Sequence, residues 1–274
     1  MGIYEQLVRR LQIRTKSAGI EPLTPNWAQA EFLNTVETQI EEERPARVIV
    51  LKARQLGMST ITEAVLFVKS FIDMHTHSLV VAHENDASEY LFSMTHLYWE
   101  TFPYARIFTP RYVSRRELSW RETGSSIRIA TARNARAGRG RTIHALHASE
   151  VAFWDRPEEI MLGMRQTIPN VPGTLIVLES TANGVGNWFY DTWKAAEAGD
   201  VEFTPLFFPW WKHPEYTGSY MRLSKPLGQL AAEERALKAM GVTDDSLIWR
   251  RWAIRNLADG NDEKVRQEYP ATAD

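Results

Sequence analysis

The 274-residue sequence contains no cysteine, which excludes a disulfide framework, thiolate metal sites and cysteine nucleophiles, and weakly favours a cytosolic protein. It has no apolar run of about eighteen residues and no charged-then-apolar leader, so a soluble chain without a secretory signal is expected. The seven histidines are scattered, and none pairs with another at HExxH spacing. No zinc motif is therefore indicated.

The sequence also has little net charge, and the formal value of −2 argues against a general polyanion binder. The charge is unevenly distributed, however. The segment from Arg106 to Arg141 holds ten arginines, no lysine and two acids, about +8 in total, which leaves about −10 for the rest. Arginine-only clusters favour contact with phosphates or an acidic neighbour, because the guanidinium binds oxyanions through two nitrogens. A solvated face is the alternative.

Apolar runs alternate with amphipathic segments along the chain. Buried strands are predicted at 47–53, 77–83, 141–148, 173–181 and 201–211. Helices are predicted at 1–20, 27–40, 59–74, 87–102 and 184–199. Asn85 or Asp86 is expected to cap the fourth of these helices, and a hairpin is predicted at 112–131 around Thr123-Gly124. The order indicates a mostly parallel sheet covered on both faces, followed from about 212 by a small helical appendage.

The stretch LKARQLGMST, residues 51–60, follows the first predicted strand. Gly57 and the pair Ser59-Thr60 at the start of a helix suit a phosphate-binding loop, whose backbone N–H groups face an anion. The GxxxxGK[ST] pattern fails twice, because Lys52 replaces its first glycine and Met58 replaces its lysine. Lys52 or Arg54 is the candidate cation. The alternative is an ordinary strand–helix turn capped by Ser59.

A second motif, TIHALHASEVAFW, is a predicted strand that ends in Ser149-Glu150. P-loop ATPases place an Asp and a Glu at such a point, one for the Mg²⁺ shell and one for the attacking water. Glu150 is the candidate base, and Ser149, in the Asp position, is expected to reach Mg²⁺ only through water. A serine helix cap followed by a solvent-facing Glu explains the same letters.

Two further signals lie in LESTANGVGNWFY and NWAQAEFL. In the first, Ser180 to Gly184 follow a buried strand at the edge where open α/β sheets bind ligands, and they could sense a γ-phosphate. A plain Asn-Gly turn is the alternative. In the second, the Gln29 amide offers a donor and an acceptor to an adenine edge.

In this order the four elements resemble the ATPase domain of the large terminase subunit, the DNA-packaging motor of tailed bacteriophages, over about residues 22–210. VRQEYPATAD is similar to the segment that the family places before its nuclease domain. The resemblance implies a P-loop NTPase of the ASCE (RecA-like) class, with a mostly parallel sheet flanked by helices. It implies a core with an N-terminal helical lid at 1–211 and a helical linker subdomain at 212–274.

The resemblance also implies site residues, with ATP and Mg²⁺ as ligands. The nucleotide-binding set is Gln29, Lys52, Arg54, Gln55, Gly57, Met58, Ser59 and Thr60. The metal is assigned to Ser59, Thr60 and Ser149, and coupling to Ser180, Thr181, Asn183 and Gly184. Glu150 is the catalytic carboxylate, and Arg139 is an arginine finger toward the neighbouring subunit.

The implied activity is ATP hydrolysis that translocates double-stranded DNA into a procapsid. The implied partners are DNA, further copies in a homo-oligomeric ring, the portal protein and the small terminase subunit, with no membrane, in the host cell cytoplasm. The nuclease domain is expected to be absent because the chain ends at Asp274, and ATP turnover by the lone domain is expected to be weak. The alternatives are a helicase-type translocase and a non-catalytic DNA-binding α/β module with a degenerate site.

Overall fold

The computed structural model describes residues 2–133, 140–223 and 226–273. Its centre is an eight-stranded sheet. The strands of this sheet are β3 (Ala46–Lys52), β4 (His77–Ala82), β5 (Pro110–Val113), β6 (Glu117–Trp120), β7 (Ser126–Thr131), β8 (Ala145–Ser149), β9 (Leu175–Ser180) and β10 (Thr204–Phe208). Two short strands, β1 (Gln12–Arg14) and β2 (Ile20–Pro22), form a separate antiparallel ribbon.

The spatial order of the strands is β10-β3-β9-β8-β4-β7-β6-β5. Every pair from β10 to β7 is parallel, and the pairs β7–β6 and β6–β5 are antiparallel. The predicted mostly parallel sheet is confirmed, and so is the hairpin, which β5 extends by one strand. Because β9 lies between β3 and β8, the carboxyl ends of these three strands meet at one place on the sheet edge.

Helices cover both faces of the sheet. They are α1 (Ile3–Val8), α2 (Trp27–Glu41), α3 (Met58–Ile72), α4 (Asn85–Thr101), α5 (Pro157–Arg165), α6 (Trp188–Ala198), α7 (Ala232–Ala239), α8 (Asp244–Asn256) and α9 (Asp262–Glu268). One apolar cluster packs α1 to α4 on the first face, and a second packs α5 and α6 on the other. The central helix α3 is buried from Ile61 to Phe71, which explains its apolar residues on all sides.

Several predicted boundaries are wrong. The strand predicted at 141–148 spans Ala145–Ser149, and the one predicted at 201–211 spans Thr204–Phe208. The helix predicted at 1–20 ends at Val8, and the chain then turns through the β1–β2 ribbon, where Leu23 N–H donates to the Leu11 carbonyl. Its apolar spacing spans too few turns to hold a longer helix. Glu84, not Asn85 or Asp86, is the N-cap of α4, and it makes no side-chain cap bond. The helix predicted from 184 starts at Trp188, because the Asn187 side chain caps it.

The C-terminal helices pack on the same apolar cluster as α1 to α4. Trp249 of α8 stacks on Trp210, with ring centroids 5.1 Å apart, and on Tyr216 at 4.5 Å. The domain boundary at 211 and 212 stays a prediction. Within the described ranges, no helix is long and apolar enough to cross a membrane.

Candidate functional site

The turn between β3 and α3 has the features of an anion-binding loop. Gly57 is the N-cap of α3 at φ +72°, and it makes no side-chain cap bond. The N–H groups of the first helical turn therefore remain available to another acceptor. A Cβ on Gly57 would lie 2.6 Å from Gln29 Nε2 and would displace that amide, and the left-handed backbone also favours glycine. The alternative of a turn capped by Ser59 is excluded, because Ser59 lies inside the helix.

Gln29 supports this loop from α2. Its Nε2 donates to the Gly57 carbonyl at 2.7 Å, and its Oε1 accepts from the Asn26 N–H at 3.0 Å. Asn26 Nδ2 also donates to the Leu56 carbonyl at 3.0 Å. Both ends of the Gln29 amide are thus engaged in positioning the loop, and its contact with adenine stays a prediction.

Met58 and Lys52, the two residues that depart from the GxxxxGK[ST] pattern, lie in different environments. Met58 packs in the apolar core with 1% of its surface exposed, so its side chain is directed away from the anion space. Lys52, only 5% exposed, places Nζ 3.0 Å from Glu150 Oε1 and 3.6 Å from Glu179 Oε2. Burial alone would lower the pKa of Lys52, but these two carboxylates outweigh it and raise the pKa. Lys52 is therefore a charged ammonium beside the loop.

Arg54, the other candidate cation, faces the C-terminal helices. Its side chain is 58% exposed and pairs with Glu268 of α9 at 2.9 Å. Its backbone N–H donates to the Glu268 carbonyl at 2.8 Å, and its carbonyl accepts from the Tyr216 hydroxyl. This geometry favours Lys52 as the cation of the loop. Arg54 instead connects the loop to Tyr216 and to Glu268 of α9. Gln55, next along the loop, has a left-handed backbone at φ +57°.

Glu150 lies at the end of β8 in a strained backbone conformation, with φ +54°. Its Oε1 accepts from Lys52, and its Oε2 accepts from Thr181 N–H at 3.3 Å and from the Ser180 hydroxyl at 3.4 Å. A non-glycine residue in the left-handed region costs on the order of 1–3 kcal/mol and concentrates at functional sites. These contacts do not fit the alternative of a carboxylate that only faces solvent.

The segment from Ser180 to Gly184 is tied to the turn that follows Glu150. Ser180 Oγ accepts from the Ala152 N–H at 3.2 Å, and Asn183 Nδ2 donates to the Ala152 carbonyl at 2.8 Å. These two bonds connect the turn after Glu150 to the end of β9. The coupling role of this segment stays a prediction, as do the roles of the other site residues.

A buried polar network behind the site was missed by sequence reasoning. Its members are fully buried, and they join α3, α4, β8 and β9. His147 Nδ1 lies 2.6 Å from Glu63 Oε1, and His147 Nε2 lies 3.1 Å from Glu179 Oε1. Thr95 Oγ1 donates to Glu63 Oε2 at 3.1 Å. The available signal was a charged residue inside each apolar run, since an unpaired buried charge is too costly to keep.

Charge pairing shifts the pKa values in this network. Burial alone would lower the pKa of His147, but hydrogen bonds and charge from Glu179 and Glu63 raise it to about 9. Burial alone would raise the pKa of Glu179, but the Lys52 ammonium and hydrogen bonds from His147 and Ser59 lower it to about 2. His147 is thus a buried imidazolium between two carboxylates near neutral pH.

This imidazolium makes stability depend on pH. The folded pKa of His147 is about 9 and its ordinary value is 6.5, so its contribution is complete below pH 6.5 and is lost as pH rises toward 9. We expect a loss of about 3 kcal/mol of unfolding free energy over that window, because one pKa unit corresponds to about 1.4 kcal/mol. Urea unfolding of the nucleotide-free protein at pH 6 to 9.5 measures it. A His147→Gln variant with the same slope would contradict the assignment.

The residues present fit a nucleotide with its magnesium ion. The loop offers free N–H donors, Lys52 offers a cation, and the Ser59 hydroxyl lies beside the Glu179 carboxylate. Within the described residues, no group of three or more His, Asp or Glu side chains could hold a metal unaided. A magnesium ion here would depend on phosphate oxygens, as is usual for Mg²⁺. The predicted ligands Ser59 and Ser149 both donate to Glu179 Oε1, and the assignment of Thr60 stays a prediction.

The arginine-rich segment forms the antiparallel end of the sheet, where every residue of β5 is exposed. A cavity of about 320 Å³ lies here and is lined in part by Arg115, Arg116, Arg128 and Arg141. Glu117 is 3.7 Å from Arg128 and 3.8 Å from Arg141, which leaves a surplus of positive charge. The predicted finger, Arg139, lies outside the described residues.

Solved structures share this fold, although no protein-family model matches the chain. The HK97 bacteriophage large terminase aligns with a TM-score of 0.66 at 14% identity, over 98% of this chain and 55% of that one. The large terminase ATPase domain of Thermus phage P74-26 aligns at 0.56 and 16% identity, over 90% of this chain and 98% of that one. A large terminase of a thermophilic bacteriophage in complex with ADP aligns at 0.54 and 11% identity, over 76% of this chain and 51% of that one.

These alignments are below 25% identity, and they establish the fold. The chain spans about half the length of the HK97 protein and nearly the whole P74-26 domain. The chain therefore has the α/β P-loop fold of large terminase ATPase domains.

Proposed function

We propose that this chain is the ATPase part of a viral DNA-packaging motor, which hydrolyses ATP to translocate double-stranded DNA into a procapsid. The observation that carries the proposal is the meeting of Lys52, Glu150 and the free N-terminus of α3 at one sheet edge. The fold shared with large terminases and the ADP bound to one of them support it. A strand–helix turn without function would need neither a buried lysine nor a strained glutamate.

The proposed chemistry assigns each residue one task. The N–H groups of the α3 terminus and the Lys52 ammonium bind the phosphates and stabilise the charge that develops on the transferred group. Glu150 orients the attacking water and accepts its proton. Ser59 would hold Mg²⁺, which would supply positive charge against the phosphates. Arg139 of a neighbouring copy completes the site in trans, so a lone domain is expected to turn over ATP weakly.

Two contacts support a mechanical output. Asn183 and Ser180 connect β9 to the turn after Glu150. Loss of the γ-phosphate would therefore change the position of the coupling segment, Ser180 to Gly184. Arg54 joins the loop to Glu268 and Tyr216, so a shift of the loop reaches residues 212–273. We propose that these contacts of Arg54 move the C-terminal helices relative to the sheet during each ATP cycle. The motion would then pull DNA through the ring.

The proposed partners follow from the charge distribution and from the neighbours. The arginine-lined cavity suits DNA phosphates, and such contact is salt-dependent and independent of sequence. The structural neighbours are large terminases, which supports a homo-oligomeric ring acting with a portal protein and a small terminase subunit in the host cytoplasm. The same arginines suit a neighbouring subunit's nucleotide equally well.

One experiment separates this proposal from its two rivals. ATP turnover by the assembled protein is measured alone, with double-stranded DNA and with single-stranded DNA. A triplex-displacement assay and a forked-duplex unwinding assay follow with the same preparation. We expect turnover stimulated by double-stranded DNA, and triplex displacement without unwinding.

The rivals give different results. A helicase-type translocase would unwind the fork and respond to single strands. A non-catalytic module would bind DNA with a strong salt dependence but turn over no ATP. Either pattern would overturn the packaging assignment. The Arg111→Ala variant is a suitable control for turnover without DNA. It removes one exposed charge on β5, far from Lys52, and should leave DNA-free turnover unchanged.

A further inference from the structure

We infer that Glu179 of β9 takes over the role of the carboxylate that is missing from β8, and that it positions the Ser59 hydroxyl for Mg²⁺. This inference rests on the proposed ATPase function and deepens it. In P-loop enzymes an acidic residue at the end of the strand that corresponds to β8 holds the magnesium shell. This chain has Ser149 at that position. The fold offers a replacement on the next strand.

The register places the replacement directly opposite the gap. Ser149 and Glu179 are paired residues of the parallel β8–β9 ladder. Glu179 Oε1 accepts from the Ser149 hydroxyl at 3.0 Å and from the Ser59 hydroxyl at 2.5 Å. One carboxylate oxygen therefore links the strand that lacks the acid with the helix that offers the hydroxyl.

The direction of the Ser59 hydrogen bond matters. A hydroxyl has one proton and two lone pairs, and an ionised carboxylate can only accept. Because the Ser59 proton goes to Glu179, its lone pairs are left for a cation. A serine hydroxyl that ligates Mg²⁺ needs such an acceptor, and Glu179 holds it in that orientation before the ligand arrives.

The second oxygen of Glu179 also points to a ligand. Among the described residues, Glu179 Oε2 has no hydrogen-bond partner, although the residue has 0% exposure. It forms an ion pair with Lys52 Nζ at 3.6 Å, which is beyond hydrogen-bond range. A buried carboxylate oxygen that accepts no hydrogen bond is costly unless a donor is expected there. A water of a hydrated magnesium ion would supply that donor.

His147 lies behind Glu179: it donates to the same Oε1 at 3.1 Å, and its Nδ1 lies 2.6 Å from Glu63 Oε1. Glu179 is therefore a positioning residue, since it acts through Ser59 and does not touch the reacting atoms. Glu150 remains the base, with its own contacts to Thr181 and Lys52.

The test separates metal affinity from nucleotide affinity. Binding of Mn²⁺ to the complex with a non-hydrolysable ATP analogue is followed by electron paramagnetic resonance, and analogue binding in EDTA is followed by calorimetry. We expect Glu179→Gln to weaken Mn²⁺ binding by about 10–100-fold, the range typical of lost outer-shell partners. Analogue binding in EDTA should stay within about threefold of wild type, because Lys52 and the loop are retained.

Two variants keep the result interpretable. Glu63→Gln is the matched control: it removes the other buried carboxylate on His147 but touches neither Ser59 nor Ser149. The double variant Ser149→Asp/Glu179→Gln returns the carboxylate to β8 and should recover most of the Mn²⁺ affinity. Thermal unfolding of each variant checks that it folds.

The outcomes divide cleanly. Wild-type Mn²⁺ affinity in Glu179→Gln, or an equal loss in Glu63→Gln, overturns the inference while the ATPase proposal stands. Absence of rescue by Ser149→Asp in a folded double variant also overturns it. If the wild-type protein binds no analogue with or without metal, the proposed function itself fails.

Discussion

Replacing Glu150 with glutamine is expected to abolish most ATP turnover while leaving ATP binding intact. A positioned general base contributes about 10²–10⁴-fold to rate, and a glutamine amide cannot accept the proton of the attacking water. Its single amide oxygen can still accept from Lys52, so that contact with the loop is retained, whereas the contact with Thr181 N–H is lost. Steady-state turnover by the assembled protein, with analogue binding measured in parallel, tests the expectation.

The matched control is Glu158→Gln, an exposed carboxylate in the first turn of α5, a few residues beyond Glu150 in the chain. It should leave turnover within about twofold of wild type, since single exposed charges contribute little. A Glu150→Gln enzyme that retained a tenth or more of wild-type turnover would remove Glu150 from its assigned role. Loss of analogue binding would instead indicate that the change disturbs the loop.

The parallel sheet was predictable because its strands are buried on both faces and read as short apolar runs. The position of β9 between β3 and β8 was not, since strand order in space leaves no periodicity in the chain. The contact of Arg54 with Glu268 was also hidden, because the two residues are distant in sequence and the pair forms only when α9 packs beside the loop.

The candidate site, like the fold, was only partly predictable from the sequence. Lys52 and Glu150 were identifiable from local motifs, and the fold brings them to 3.0 Å. Glu179 and His147 were missed because their partners are remote: His147 and Glu63 are separated by 84 positions, and Ser59 and Glu179 by 120. A charge inside an apolar strand indicates that some partner exists, but only the packed structure identifies it.

Replacing Lys52 and Arg54 separately tests which of the two candidate cations serves the loop. Removal of Lys52 is expected to lower both the free energy of unfolding and the affinity for ATP. Lys52→Ala leaves the buried Glu179 without one of its two positively charged neighbours, and breaking a buried pair from one side costs about 3–5 kcal/mol. Arg54→Ala breaks a largely exposed pair with Glu268, which is worth under about 1 kcal/mol. Urea unfolding of the two variants at neutral pH should therefore separate them clearly.

A destabilised variant also loses ligand for trivial reasons, so the binding role of Lys52 needs a second comparison. Lys52→Ala/Glu179→Gln removes both members of the buried pair and should recover much of the lost stability. We expect it still to bind ATP in EDTA at least tenfold more weakly than Glu179→Gln alone, because the phosphates lose their only buried cation among the described residues of the loop. Equal binding by the two variants would remove Lys52 from the site. A large binding defect in folded Arg54→Ala would transfer the role to Arg54.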